Sequence, residues 1–158
     1  MGAAVAPVLA PVELEIVRDH PFKRKPGKKR GCATCGAGKL DPAHLGAPPS
    51  MNSGNHSMHP QAYQALKHAW QTVLTDALER TGLPTRLDRV MVEGECTFPD
   101  RGRRDQGNYR WMLEKALGDA LVAGGWLEDD DWARYEFGGL AYRYEKGTSR
   151  LRLLVMPA

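Results

Sequence analysis

The segment RGRRDQGNYR, residues 101–110, places one carboxylate among four arginines. Arginines at this density are typical of a loop that binds phosphate, so we expect four side chains to contact a nucleic-acid backbone: Arg101, Arg103, Arg104 and Arg110. The acid, Asp105, weakens the field for an anion unless a cation is bound to it. The segment therefore predicts a site that holds both a phosphate and a metal ion.

A second group of acids follows a predicted helix after a Gly-Gly turn. If the chain folds back along that helix, Asp129 or Asp130 meets Asp105, and such convergent carboxylates bind a hard cation such as Mg²⁺. A water on that cation can attack a phosphorus atom while the arginines hold the phosphate. The alternative is that Asp105 caps the helix that starts near Asn108, and that the acids at 128–131 form a solvated turn.

The stretch CATCG has the spacing of a metal-binding cysteine pair. Its zinc ligands would be Cys32 and Cys35 with two histidines: His44 together with His20, His56 or His59. A structural Zn²⁺ would explain how a long Gly-rich loop stays ordered. The alternative is a pair of free thiols in a mobile loop.

Composition sets the broad class of the protein. The chain has 158 residues and a net charge of +3. Hydrophobic residues make up 42% of it, which at this length is enough for one domain with a core. The basic run KRKPGKKR (23–30) predicts further phosphate contacts by Lys28, Lys29 and Arg30. The alternative for this run is a solvated loop.

The same composition bears on location. Three cysteines, an odd number, argue against a disulfide framework and favour a reducing compartment, and Cys96 is expected to be a small buried residue of a strand. The N-terminal segment lacks the basic start of a signal peptide, and no apolar run has the length of a membrane span. We expect a cytoplasmic protein without membrane contact.

Hydrophobic periodicity predicts the elements that position these residues. We expect a strand over 12–17, irregular chain over 18–59, helices over 60–81 and 108–122, a strand over 89–99, and a hairpin over 133–157 that turns at EKGTS. Together they predict a small α+β domain over residues 1–158: a mostly antiparallel or mixed sheet with two helices packed on it.

Five blocks of the chain occur in the order found in a known family: APPSMNS (47–53), QAYQALKHA (61–69), ECTFPDRGRRDQGN (95–108), EKALGDAL (114–121) and GGWLEDD (124–130). They resemble, in turn, the PPS-x-N segment, the start of the first helix, the strand and arginine run before the RDLDN motif, the K-x-x-x-DAL helix and the G-x-x-x-DD motif of the RusA-type Holliday junction resolvases, which are common in phages and prophages. The resemblance covers about residues 12–157, with an insertion at about 18–46.

The resemblance implies a symmetric homodimer that binds four-way DNA junctions by shape and cuts two strands with Mg²⁺ or Mn²⁺. It implies that Asp105 is a metal ligand, that Asn108 belongs to the DNA-binding motif and that Lys115 assists at the phosphate. The late metal-ligating aspartate is Asp129 or Asp130, depending on which neighbouring block sets the alignment.

The chain departs from the family pattern at two places. Gly107 stands where the family has its second metal-ligating aspartate, and four extra residues precede Lys115, which adds about one helical turn and keeps that lysine on the same face. An acid is expected to replace the missing one, in this order of preference: Glu114, Glu95 and Glu93. The alternative for Glu114 is an ion pair with Arg110, one turn earlier.

Three functions follow from these observations. The first is a metal-dependent endonuclease that resolves four-way junctions. The second is a DNA-binding protein without catalysis, or with weak catalysis, in which Gly107 marks the loss of the metal site. The third is a nuclease for branched or flapped DNA in general.

Overall fold

The structure is a computed structural model, and it describes residues 9–20, 23–27, 30–45, 60–104 and 107–158. Its regular elements are β1 (Val12–Val17), α1 (Pro60–Glu79), β2 (Val90–Phe98), α2 (Gly107–Ala123), β3 (Tyr135–Tyr144) and β4 (Arg150–Pro157). A short 3-10 helix, Pro42–His44, lies between β1 and α1. The predicted α+β class is confirmed, with each predicted helix and strand present to within about two residues at its ends.

Both helices follow from local sequence signals. Proline is tolerated at the first position of a helix, where its missing N–H costs nothing, and Pro60 opens α1. The chain leaves α1 through Gly82, which has a φ of +71°, a conformation that favours glycine. In the part of the chain that the structure describes, no helix is both long and apolar enough to cross a bilayer.

The four strands form one mixed sheet in the order β1-β4-β2-β3. β4 pairs antiparallel with both β1 and β2, whereas β2 and β3 are parallel. Parallel neighbours need a crossover connection, usually a helix, and α2 is the helix between β2 and β3 in the chain. The three strands β1, β2 and β3 therefore all run in one direction.

The predicted hairpin over 133–157 is wrong. The turn itself is present, since the N–H of Thr148 donates to the carbonyl of Glu145 at 3.0 Å. The strands on its two sides are not neighbours, however, because β2 lies between them. The turn crosses the end of β2, where the N–H of Glu145 donates to the carbonyl of Phe98 at 3.1 Å. Its five residues, 145–149, bridge two strand spacings, about 9.6 Å.

One face of the sheet packs against the two helices and forms the core. The largest fully buried side chains come from both layers: Trp70, Leu74 and Leu78 of α1, Met112, Leu113, Leu117 and Leu121 of α2, and Val90, Val92, Leu151, Leu153 and Val155 of the sheet. Successive residues of a strand point to opposite faces. The other face accordingly carries charged side chains such as Glu13 and Glu93, which are exposed.

We predict that adjacent leucines of β4 differ sharply in their contribution to stability. Leu153 is fully buried, whereas Leu154 on the opposite face is 37% exposed. Leu153→Ala should lower the free energy of unfolding by about 2–5 kcal/mol because it leaves a cavity in the core. Leu154→Ala, the control, should lower it by less than about 1 kcal/mol, as measured by urea unfolding. Equal losses would contradict the assignment of the two sheet faces.

Candidate functional site

Three loops leave the sheet at the same end. Val17 of β1 and Thr97 of β2 both pair with Arg150, the first residue of β4. The last residues of β2 and β3 pair with each other. The loops that start there carry cationic side chains that are partly or fully exposed: Lys23, Arg24, Lys25, Arg30, Arg101, Arg103 and Lys146. We call this set the basic end.

Arg104 is held inside its own loop. Its side chain is 16% exposed, its guanidinium lies 4.0 Å from the centre of the Phe98 ring, and it donates to Asp100 Oδ1 at 2.8 Å. The N–H of Gly102 and the guanidinium of Arg104 lower the pKa of the Asp100 carboxyl. Arg104 therefore braces the loop from within, whereas the sequence predicts a DNA contact for it.

Arg101 and Arg103 are the exposed arginines of this loop. The Arg101 guanidinium lies 4.8 Å from the centre of the Tyr144 ring, so the loop also contacts the end of β3. Four of the predicted site side chains lie outside what the structure describes: Lys28, Lys29, Asp105 and Asn108.

Arg110 joins α2 to β3. Its Nε donates to Glu114 Oε2 at 2.8 Å, and its terminal nitrogen donates to the carbonyl of Phe137. The guanidinium lies 5.3 Å from the Phe137 ring centre. The helical ion pair foreseen as the alternative for Glu114 is thus present.

Further along α2 lies a cluster of four charged side chains, which we call the Lys115 cluster: Lys67, Lys115, Asp119 and Asp130. Lys115 Nζ lies 2.7 Å from Asp130 Oδ2 and 3.0 Å from Asp119 Oδ1. Lys67 Nζ of α1 lies 2.8 Å from Asp119 Oδ2. The cluster therefore links both helices to the segment that follows α2.

The lysines and aspartates of this cluster shift each other's pKa values. Hydrogen bonds to Asp130 and Asp119 raise the pKa of Lys115. Burial would raise the pKa of Asp119, but hydrogen bonds from Lys67 and Lys115 lower it overall. Sequence reasoning did not single out Asp119 or Lys67 as site residues. The spacing of Lys115 and Asp119, four residues apart on a helix, is the signal that places that pair on one face.

The geometry distinguishes the two late aspartates. Asp130 reaches Lys115, and it also lies close to the helix backbone at Gly118, where an added Cβ would be 2.9 Å from Asp130 Oδ2 and would require that side chain to shift. Asp129 instead accepts a hydrogen bond from the N–H of Asp130 at 2.8 Å and is exposed. Of the pair, Asp130 is the residue that faces α2.

Asp130 is displaced along α2 from the basic end. Its partner Lys115 follows Gly107, the first residue of α2, by eight positions, which is roughly 12 Å of helix. Asp105 precedes Gly107 in the chain and lies outside the described residues. The predicted meeting of Asp105 with Asp130 is accordingly not among the contacts that the structure describes.

The three candidate replacement acids do not join Asp130. Glu114 pairs with Arg110, and Glu95 pairs with Arg143 across the sheet. Glu93 and Glu95 alternate along β2 with the buried Val92 and Cys96, so they belong to the sheet face away from the helices. The described residues therefore hold no set of three carboxylates for Mg²⁺.

A different group of side chains does converge. His20, Cys32, Cys35 and His44 each offer a ligand atom, and these four atoms all lie within 4.8 Å of one another. Cys32 Sγ is 3.5 Å from His20 Nε2, and Cys35 Sγ is 3.3 Å from His44 Nε2. This cluster could hold a metal ion such as zinc. His56 and His59, the other histidines considered as ligands, lie outside the described residues.

Local structure holds this His/Cys cluster together. The N–H of Gly36 donates to the carbonyl of Cys32 at 2.9 Å, which closes the turn between the cysteines. Gly31 has a φ of +106°, and a Cβ there would lie 2.4 Å from the carbonyl oxygen of Gly36, so the position requires glycine. The side chain of Asp41 accepts from the N–H of Ala43 and starts the 3-10 helix that carries His44.

The environment of Cys32 favours its thiolate. Burial alone would raise the pKa of this thiol, but hydrogen bonds from backbone groups of Lys23, Cys35 and Thr34 and from the His20 side chain lower it to about 5. The thiolate is the form that binds metal ions. Cys96 differs, because burial in β2 raises the pKa of its thiol, in keeping with the buried role expected from the sequence.

No protein-family model matches the chain, and no curated protein matches it significantly.

We predict that Asp119 stabilises the fold at neutral pH. Asp119→Asn should lower the free energy of unfolding by about 1–2 kcal/mol because charge-assisted hydrogen bonds to two lysines are lost. The control is Asp76→Asn, an exposed acid on α1, which should cost less than about 0.5 kcal/mol.

The same variant has a defined pH dependence. The pKa of Asp119 is lowered in the folded state, so its contribution is complete above the ordinary aspartate pKa, near about 4. It is lost as the pH falls through the lowered folded value. Urea unfolding at a series of pH values should show the difference from wild type shrinking below about pH 4. A difference that grows on acidification would contradict the ion pairs.

Proposed function

We propose that the protein is a divalent-metal-dependent endonuclease that acts on branched DNA, with the four-way junction as its preferred substrate. The observation that carries the proposal is the basic end, where three separate loops that leave the sheet at the same end each carry exposed cations. Arginine and lysine contacts to phosphates position DNA without reading its sequence. A surface built from several loops fits a substrate in which several strands meet.

The chain order supports a hydrolytic role at this end. Arg103 and Arg104 directly precede Asp105, and α2 starts at Gly107, so the proposed metal ligand belongs to the segment between the arginine loop and the helix. Carboxylates are the ligands that Mg²⁺ and Mn²⁺ prefer. When bound, the metal would supply a nucleophilic water and neutralise charge on the scissile phosphate.

Asp130 is the proposed second metal ligand, and Lys115 holds it. Since Asp130 lies about two turns along α2 from Gly107, the proposal requires the segment carrying Asp130 to move toward the start of α2 on binding. Lys115, released by that movement, would then face the phosphate. Two such sites in a homodimer would cut strands in pairs.

A second candidate is a protein that binds branched DNA without cutting it. The observation that favours it is the Lys115 cluster, in which lysines already neutralise both Asp119 and Asp130. Gly107, which brings no carboxylate, also fits this candidate.

The two candidates predict different outcomes with a labelled four-way junction and Mg²⁺. An endonuclease should produce symmetrical nicks in the junction and leave a linear duplex of the same sequence intact. Asp105→Asn should slow cutting by about 1,000-fold, or about 4 kcal/mol in the barrier, while junction affinity stays within a few fold. Asp76→Asn, distant in the chain on α1, is the control and should cut like wild type.

Each result has a clear reading. Retarded but intact junction with wild-type protein would favour the second candidate. Undiminished Mg²⁺-dependent cutting by Asp105→Asn would remove that residue from the site.

We also predict that the basic end carries the phosphate contacts. Arg101→Ala and Arg103→Ala should each weaken junction binding and reduce the slope of log affinity against log salt by about 1. The control is Arg89→Ala. Arg89 is exposed, pairs with Glu136 and lies just before β2, at the opposite end of the sheet. Fluorescence anisotropy at several salt concentrations measures the slopes, and equal effects at the two ends would contradict the proposal.

A further inference from the structure

We propose that His20, Cys32, Cys35 and His44 form a closed tetrahedral Zn²⁺ site, and that this site fixes Lys23, Arg24 and Lys25, which we call the basic segment. The sequence alone leaves the fourth ligand open among three histidines. The geometry points to His20, and it gives the metal a structural task.

Two sulfur-to-nitrogen separations in the cluster match those of a zinc site. With Zn–S near 2.3 Å and Zn–N near 2.0–2.1 Å, tetrahedral geometry sets a sulfur-to-nitrogen separation of about 3.5 Å. The two sulfur–nitrogen pairs of the cluster lie at 3.5 and 3.3 Å. Two thiolates with two imidazoles are a donor set typical of structural Zn²⁺, and four protein ligands leave no open position for a substrate.

Hydrogen bonds around the ligands favour the protonation states that bind a metal ion. His44 Nδ1 lies 3.2 Å from the carbonyl oxygen of His20, so Nδ1–H donates there and Nε2 keeps its lone pair for the metal. The N–H of Thr34 lies 3.4 Å from Cys32 Sγ and donates to it. Zinc would be bound by both cysteines as thiolates and by both histidines as neutral imidazoles.

The site joins segments that are distant in the chain. His20 follows β1 by three residues, and the neighbouring Arg18 N–H donates to the carbonyl of Ser149 beside β4. His44 is 5% exposed and precedes Leu45, which belongs to the core. Two ligands are thus fixed to the sheet and the core, while Cys32 and Cys35 come from the loop between them.

The basic segment is paired directly with the cysteine turn. Arg24 and Cys32 form an antiparallel bridge, and the N–H of Lys25 donates to the carbonyl of Gly31 at 3.2 Å. The N–H of Ala33 donates to the carbonyl of Lys23. A metal that fixes Cys32 therefore also fixes the backbone that carries Lys23, Arg24 and Lys25. The step from this ordering to DNA binding rests on the proposed function.

The first measurement concerns the metal alone. The full chain, purified without added chelator, should contain one zinc per chain by elemental analysis. Replacement by Co²⁺ should give the intense visible bands of a tetrahedral ion and thiolate-to-metal charge transfer in the near ultraviolet. A chain without stoichiometric zinc, or an octahedral Co²⁺ spectrum, overturns the site.

Matched variants test each ligand class. His20→Ala should weaken zinc binding by at least about 100-fold, beyond the range of an outer-sphere partner, as measured against a chromophoric chelator. His68→Ala, an exposed histidine of α1, should bind zinc like wild type. Cys32→Ser should lose the metal, whereas Cys96→Ala should keep it. If His56→Ala or His59→Ala removes zinc and His20→Ala does not, the assignment of His20 is overturned.

The proposed effect of zinc on the order of the basic segment can be measured without DNA. Chelation of zinc should speed tryptic cleavage within the basic segment at least tenfold, and added Zn²⁺ should restore protection. Circular dichroism of the same samples should show that the sheet and helices persist, because nearly all core side chains belong to the helices, the strands and the segments that join them, and not to the metal-binding loop. Equal cleavage with and without zinc overturns the organising role.

The DNA measurement separates this inference from the proposed function. If the zinc-loaded chain binds a four-way junction, chelation should weaken binding about tenfold and make its salt dependence shallower. Unchanged affinity after zinc removal overturns the role of the segment in DNA binding. A zinc-loaded chain that binds no DNA at all refutes the proposed function, whereas zinc stoichiometry and proteolysis still decide the metal site.

Discussion

β2 and β3 lie side by side in parallel, so the chain must return along the sheet between them, and α2 makes that return. The placement of the functional groups depends on this pairing. It directs β1, β2 and β3 the same way, so the loops that follow these three strands all start at one end of the sheet. Because α2 runs back along the sheet, the acids that follow it start from the opposite end of the sheet. The chain then folds back along α2 far enough for Asp130 to contact Lys115.

Charge is arranged differently at the two places. At the basic end, Arg101 and Arg103 are exposed, while Arg104 is internal and braces the loop against Phe98. Along α2, opposite charges are paired, and the lysines lower the pKa of Asp119. Paired charges of this kind stabilise the contact between helices and loop, whereas unpaired cations on a surface favour a polyanionic partner. The proposed nuclease activity requires Asp130 to separate from Lys115, whereas the proposed DNA binding leaves this ion pair unchanged.

The part of the β1–α1 loop that the structure describes is held by a few backbone hydrogen bonds and by the four converging His and Cys side chains. It adds little apolar surface to the core, to which only Leu45 of the described loop residues contributes among the larger buried side chains. A loop of this length needs some other source of order. The proposed Zn²⁺ would order the loop, and an ordered loop would in turn fix the position of its cationic residues.

Local periodicity determined the elements: the two helices and all four strands lie where the pattern of apolar residues and the Pro and Gly signals predicted them. The Cys32–Cys35 spacing likewise predicted two members of the cluster that could hold a metal ion. Strand order was not predictable, because the turn at EKGTS looks the same whether its strands pair or enclose a third strand. Only the tertiary structure showed that Asp130, and not Asp129, contacts α2 and that His20 lies beside Cys32. These contacts join residues that are distant in sequence, for which spacing along the chain carries no information.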